Sequence, residues 1–224
     1  MPDNPIIKIY SHPRSGTHLL GHLMKLNLYK EVNLSTGPGS YGHWADRRHS
    51  MGSPVGQLFG HHMADAPPTG PAIYLVRDGR DVAISIFRTP HFMNPNVRIL
   101  GFSEFLRILL DWKWSPSNRV EFEYTITQNW YEHVKAWGMF ACTSDVCVVR
   151  YEDLVLRPNH VLGQLVQWFD LKRCGDFEPV KGLVGVSPND GKIGRWRRMF
   201  SPTDLSYFHQ MVPRDFNMLW GTNA

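Results

Sequence analysis

Ser11-His12-Pro13-Arg14-Ser15-Gly16-Thr17-His18 is the stretch on which the reading of this chain turns. Before it, Ile6, Ile7, Ile9 and Tyr10 are β-branched or aromatic, as in a short buried strand. After it, Leu19, Leu20, Leu23, Met24 and Leu28 recur at near-helical spacing. Strand, small polar loop, helix is the recipe for an anion site: loop and first-turn N–H groups point outward, and the helix dipole adds about half a positive charge there. Gly16 lets the backbone approach a ligand, while Arg14, Ser15 and Thr17 supply donors. An ordinary strand-to-helix turn capped by Ser15 or Thr17 is the competing reading. A magnesium-dependent nucleotide loop, G-x-x-x-x-G-K-[ST], is poorly supported: Gly16 precedes Thr17 where that motif has Lys.

Length and composition narrow the classes. With 224 residues the chain suits one sizeable α/β domain rather than two. A content of 42% hydrophobic and 20% charged residues speaks against wholesale disorder. The net charge of +4 and pI near 9.0 suit an anionic ligand. No long Lys/Arg run resembles a nucleic-acid arm, so no nucleic-acid partner is expected. The odd set Cys142, Cys147 and Cys174 has no metal spacing and fits a reduced compartment. The first residues lack a secretory pattern, and no apolar run reaches the roughly 18 residues of a membrane span. A cytoplasmic protein without membrane or metal is the expectation.

Further along, residues 31–54 and 89–126 are irregular in texture, and Gln57-Leu58-Phe59-Gly60 reads as a short strand before His61-His62. Ala72-Ile73-Tyr74-Leu75-Val76 is the clearest strand, continuous and apolar as in a parallel sheet covered on both faces. Arg77-Asp78-Gly79-Arg80-Asp81 follows, then a buried helical pattern carrying Ser85. An Arg at a strand's carboxyl end and a Ser in the next helix can both face the crevice where α/β sheets bind ligands. Pairing of Arg77 and Arg80 with nearby carboxylates is the alternative. Phe102, Phe105, Leu106, Leu109 and Leu110 mark one helix, and Trp130, Val134, Trp137 and Phe140 another. Trp112 and Trp114 are candidates for an acceptor pocket, although aromatic residues in such a stretch more often belong to the core. Val146-Cys147-Val148-Val149 is a third buried strand, leading into Arg150-Tyr151-Glu152-Asp153-Leu154 and the periodic Leu162, Leu165, Val166 and Phe169. Glu152 and Asp153 read as helix caps rather than acid–base groups. Near the C-terminus come Gly191-Lys192-Ile193-Gly194-Arg195-Trp196-Arg197-Arg198 and a closing helix through Leu205, Phe208 and Met211.

Taken together these motifs resemble those of the sulfotransferases that use 3′-phosphoadenosine 5′-phosphosulfate (PAPS). Pro13–Thr17 matches P-[RK]-S-G-T, the 5′-phosphosulfate loop; Arg77–Ser85 matches R-[ND]-x-x-D-V-A-x-S, the 3′-phosphate motif. Arg150–Leu154 matches a third segment, and 191–198 resembles R-K-G-x-x-G-x-W-[RK], except that Asn189 and Asp190 replace its Arg and Lys. An acidic side chain against a phosphate is repulsive, so Lys192, Arg195 or Arg197 would have to supply the charge. The resemblance covers roughly residues 6–20, 55–88 and 127–200.

What the resemblance implies is one α/β domain spanning 1–224, with a short parallel β-sheet flanked by helices and a P-loop-like strand-loop-helix. The implied reaction is in-line sulfuryl transfer from PAPS to an acceptor hydroxyl or amine, releasing adenosine 3′,5′-bisphosphate (PAP). The implied cofactor residues are Arg14, Ser15, Gly16, Thr17, His18, Arg77, Ser85, Tyr151, Gly191, Lys192, Arg195 and Trp196. Arg14, where Lys is usual in the family, would stabilise charge without donating a proton. The general base falls best on His62, with His61 beside it and His12, His18, His22, His43 and His49 as rivals. Leu19 stands where an aromatic residue stacks on adenine in cytosolic members, so Trp196 or Tyr151 would take that part. The acceptor, a small molecule or carbohydrate, and the oligomeric state are not legible. A P-loop kinase and a non-catalytic anion- or nucleic-acid-binding module are the alternatives.

Overall fold

The computed structural model describes residues 4–5, 7–29, 70–89, 99–109, 124–141, 145–182, 191–213 and 215–216. Three parallel strands, β1 (Lys8–Ser11), β2 (Ala72–Val76) and β3 (Val146–Arg150), lie in the order β1-β2-β3. The register pairs Ser11 with Leu75 and Val76 with Arg150, so all three carboxyl ends finish together. Each strand feeds a helix: α1 (Thr17–Leu28), α2 (Gly79–Phe87) and α5 (Tyr151–Leu156). Between them, and after them, lie α3 (Phe102–Phe105), α4 (Ile126–Phe140), α6 (Pro158–Phe169), α7 (Trp196–Met199) and α8 (Pro202–Met211).

The strands are continuous apolar runs because both faces of the sheet are covered, and their alternate residues part between two cores. Tyr10, Ala72, Tyr74, Val76 and Val146 pack on one side with residues of α2, α4 and α8, including Val82, Trp130, Val134 and Phe208. Ile7, Ile9, Ile73, Leu75, Cys147 and Val149 pack on the other with Leu20, Leu23, Leu162 and Leu165 of α1 and α6. This is the mixed α/β architecture, a short parallel sheet flanked by helices, that the sequence implies.

Two local outcomes differ from the sequence reading. The helix expected through Phe102–Leu110 closes after a single turn at Phe105, with Leu109 more than half exposed. Arg107 leaves that face to bond Asp204 of α8 and the Ser103 carbonyl, which ties the turn down instead of extending it. The first strand is shifted toward the loop and includes Ser11. The strand expected at 57–60 lies outside the described residues, as do His61, His62, Trp112, Trp114, Cys142, Asn189 and Asp190. Cys147 and Cys174 are free thiols, and no helix among the described residues is long and apolar enough to cross a membrane.

Candidate active site

The carboxyl ends of the three strands bring the motifs together. Between β1 and α1, Ser15 N–H donates to the His12 carbonyl at 3.2 Å and closes a tight loop. Arg14 has φ 69° and Gly16 φ 99°, both in the left-handed region. For Arg14 this conformation costs about 1–2 kcal/mol, strain of the kind that gathers at functional loops. Thr17 is buried and its hydroxyl is hydrogen-bonded to Ser11, which fixes the start of α1 to the end of β1. His18 sits half-buried on the first turn of α1, where its carbonyl is 3.0 Å from Nδ1 of His22.

The loop is joined to the second motif from both directions. Arg14 Nε donates to Ser85 Oγ at 3.0 Å, and Arg77 Nη1 donates to the Arg14 carbonyl at 3.0 Å. Arg77 Nη2 lies 3.4 Å from the Lys192 carbonyl, so one guanidinium spans the two loops. The Arg77 guanidinium also sits over the Tyr151 ring, 4.2 Å from its centroid. Trp130 of α4 steadies the end of β2 by donating its indole N–H to the Arg77 carbonyl at 3.1 Å. Gly79 is required beside it, because a Cβ there would lie 2.5 Å from the Trp130 ring.

Electrostatics follow from burial. The Arg14 guanidinium is brought down to about 10 by loss of solvent and by Arg77 beside it, and it stays charged at neutral pH. Burial raises the Tyr151 phenol, against the pull of Arg77. Burial likewise raises Asp81, although the Gly194 N–H and Arg77 oppose it. Among the described residues, Ser15 Oγ, Arg77 Nε and Trp196 Nε1 are buried and have no hydrogen-bond partner. Unpaired buried donors cost about 1–3 kcal/mol each, and two of the three are groups that the motifs assign to phosphate. Ser15 Oγ and Arg77 Nε are thus buried donors that an anionic ligand could satisfy.

Of the implied cofactor residues, Arg14, Ser15, Gly16, Thr17, Arg77, Ser85 and Tyr151 come together at the carboxyl ends of the strands. The loop carrying Gly191, Lys192, Arg195 and Trp196 folds onto α2. Lys192 itself is exposed, while Arg195 and Trp196 are half-buried. The sequence offered two readings of the R-D-G-R-D stretch, and the pairing with a nearby carboxylate describes Arg80. Arg80 pairs with Asp78 through Nε at 2.9 Å and Nη2 at 2.6 Å, both side chains buried. Arg77 instead donates to the Arg14 and Lys192 carbonyls. Glu152 is a cap, but of another helix: its Oε1 accepts the Asp78 N–H at 3.1 Å, at the start of α2. Asp153 pairs with Arg157 four residues on.

His12 is not placed as a base. It is 1% exposed, with Nε2 2.8 Å from Asn129 Oδ1 and Nδ1 3.0 Å from the Pro13 carbonyl oxygen. Desolvation lowers it to about 4 despite these contacts, so it stays neutral and braces the loop against α4. Sequence reasoning missed this brace because Asn129 gives no periodic or motif signal. His62 lies outside the described residues.

A sulfotransferase domain model matches residues 71–180, which carry the Arg77–Ser85 and Arg150–Leu154 motifs. No curated protein matches the chain at a significant level. Among solved structures, the fold is similar to that of mouse sulfotransferase SULT7A1 complexed with PAP. The identity is 17% and the TM-score 0.61, over 92% of this chain and 81% of that one. It is also similar to retinol dehydratase in complex with androsterone and inactive cofactor PAP, at 17% identity and TM-score 0.54, over 100% of this chain and 84% of that one. The family model that spans two of the motifs, over residues 71–180, is that of a sulfotransferase domain, and the fold along nearly the whole length is similar to that of a sulfotransferase solved with PAP.

Proposed function

We propose that the chain transfers a sulfuryl group from PAPS to the hydroxyl or amine of a small-molecule or carbohydrate acceptor. The observation that carries this reading is the pair of contacts joining the two anion motifs, Arg14 to Ser85 and Arg77 to the Arg14 carbonyl. Beside them Ser15 Oγ and Arg77 Nε are buried donors without partners among the described residues. The loop 13–17 and Ser15 would hold the 5′-phosphosulfate, Arg77 and Ser85 the 3′-phosphate, and Tyr151 with Trp196 the base. His18 and the loop of Gly191, Lys192 and Arg195 complete the set.

Sulfuryl transfer, like phosphoryl transfer, needs in-line positioning and charge stabilisation more than covalent help. Arg14 serves as the fixed cation beside the transferred group. It does not act as an acid, because even at about 10 it keeps its proton at neutral pH. His62 is the proposed general base, withdrawing the acceptor's proton. Retinol and androsterone are bound in the retinol dehydratase complexes, and an acceptor of this size with a free hydroxyl is the class to screen first. Free Cys147 and Cys174 suit a reducing compartment such as the cytoplasm.

The test is a thermal-shift titration with chelator present, comparing PAP with ATP, followed by transfer of labelled sulfate from PAPS. A ligand at about 100 times its Kd stabilises by roughly 2.7 kcal/mol, some degrees for a chain of this size. PAP shifting the melting point without metal, and ATP not, is the expected result. ATP binding that needs magnesium and exceeds PAP would replace this reading with a kinase. His62→Ala should lower kcat by about 10²–10⁴-fold; unimpaired turnover would move the base elsewhere.

A further inference from the structure

The first turn of α2 carries charged groups that the transfer reaction does not use. Asp81 is 1% exposed, yet both of its carboxylate oxygens accept backbone N–H groups from a segment 113 and 115 residues away. Oδ2 takes the Gly194 N–H at 2.6 Å and Oδ1 takes the Trp196 N–H at 3.1 Å. One side chain therefore grips two amides of the glycine-rich loop. Arg80, immobilised by Asp78, lies 3.7 Å under the Trp196 ring and gives that ring a fixed seat. Gly194 has φ 73°, so the loop is bent sharply at the gripped residue. The same loop's Lys192 carbonyl reaches Arg77, four residues before Asp81. Asp78, Arg80 and Asp81 thus hold protein on the α2 side of the loop, while Arg77 and Ser85 of the same motif join Arg14.

We propose that Asp81 is a positioning residue that seats the Gly191–Trp196 loop against Arg77 and thereby sets how strongly this site takes up a 3′-phosphate. The proposal rests on the sulfotransferase reading and adds a residue whose carboxylate never touches the ligand. Asn at this position keeps the size but turns one acceptor into an N–H₂ facing an N–H, so one of the two grips is lost. A loop released from α2 leaves the 5′-side of the site, built by residues 13–17, as it was.

The experiment measures Kd for PAP and for adenosine 5′-phosphate, which lacks the 3′-phosphate, in the wild type, Asp81→Asn and Gly194→Ala. Their ratio is the gain from the 3′-phosphate alone. In Asp81→Asn this ratio should fall about 10-fold, PAP losing more affinity than adenosine 5′-phosphate, which loses only what the Trp196 ring gives the base, and the Gly194–Trp196 amides should exchange faster with solvent. Gly194→Ala strains the bend from the loop side, on a partly exposed segment, and should lower the ratio in the same sense. It becomes the deciding variant if Asp81→Asn does not fold. An unchanged ratio, or equal weakening of both ligands, overturns the proposal while leaving the sulfotransferase reading intact. A wild type that does not distinguish the two ligands overturns both.

Discussion

The ring of Tyr151 fills the space in which a Cβ on Gly16 would stand: an ideal Cβ there would lie 2.6 Å from Tyr151 Cε2. The phosphate loop and the start of α5, 135 positions apart in sequence numbering, are thus pressed together with no room for a methyl group. Gly16 is in addition held at φ 99°. Gly16→Ala should cost about 2–4 kcal/mol, from the left-handed backbone and from overpacking against the ring. Denaturant melts check this. Tyr151→Ala in the same chain should recover the overpacking part and leave the backbone part, a coupling readable in a double-mutant cycle.

Arg14 combines backbone strain with charge repulsion from Arg77, and both oppose folding. Arg14→Gly relieves both and removes the hydrogen bond to Ser85. Its melting temperature should be equal to or above that of the wild type, while transfer activity falls about 10²–10³-fold. Arg14→Lys should retain more activity than Arg14→Gly. Loss of stability in Arg14→Gly equal to the loss of activity would assign Arg14 a structural role instead.

His12 makes stability depend on pH. Its folded-state value of about 4 is below the ordinary 6.5, because burial penalises the cation. The neutral ring's contribution is therefore complete above about pH 6.5 and is lost as pH falls toward 4. From this one group the loss between pH 7 and pH 4 should be about 3 kcal/mol. Denaturation at several pH values should show a shallower decline for His12→Gln than for the wild type, starting from a lower stability at pH 7.

Asp204 works in a lower window. Its burial opposes ionisation, but Arg107, Ser103 and Ser201 all donate to it and bring it to about 2. Ser201 and Asp204 form a capping box at the start of α8. The carboxylate's stabilisation is complete above about pH 4 and disappears as pH falls to about 2. Asp204→Ala should cost about 1–3 kcal/mol at pH 7, and the difference from wild type should shrink as both are titrated below pH 4.

Much of this protein is legible in one dimension because the physics involved is local. A run such as Ala72–Val76 has no charged side chain to offer water, so it reads as a strand covered on both faces, and all five residues are buried. Loop 12–16 with its glycine, and Arg77 directly after a strand, can be placed side by side from order alone, since parallel strands put their carboxyl ends on one edge, and the two do meet. Trp130, Val134 and Trp137 repeat at helical spacing and are buried together. What residue order cannot express is which distant groups become partners. Glu152 follows a strand and reads as a cap for its own helix, yet register beside β2 carries it to the Asp78 N–H of α2. His12 reads as one histidine among 11, and only the packing of α4 on the sheet gives it Asn129 and a neutral ring. Asp81 reads as a charge suited to a helix dipole, and only the return of the chain after residue 190 supplies the two amides it holds. Strands, most helices and the two anion motifs follow from residue order, because each depends on neighbours within a few positions. Which distant groups each charge holds is settled only in three dimensions, because that choice depends on elements more than 70 residues away, as for Glu152 on Asp78 and Asp81 on Gly194.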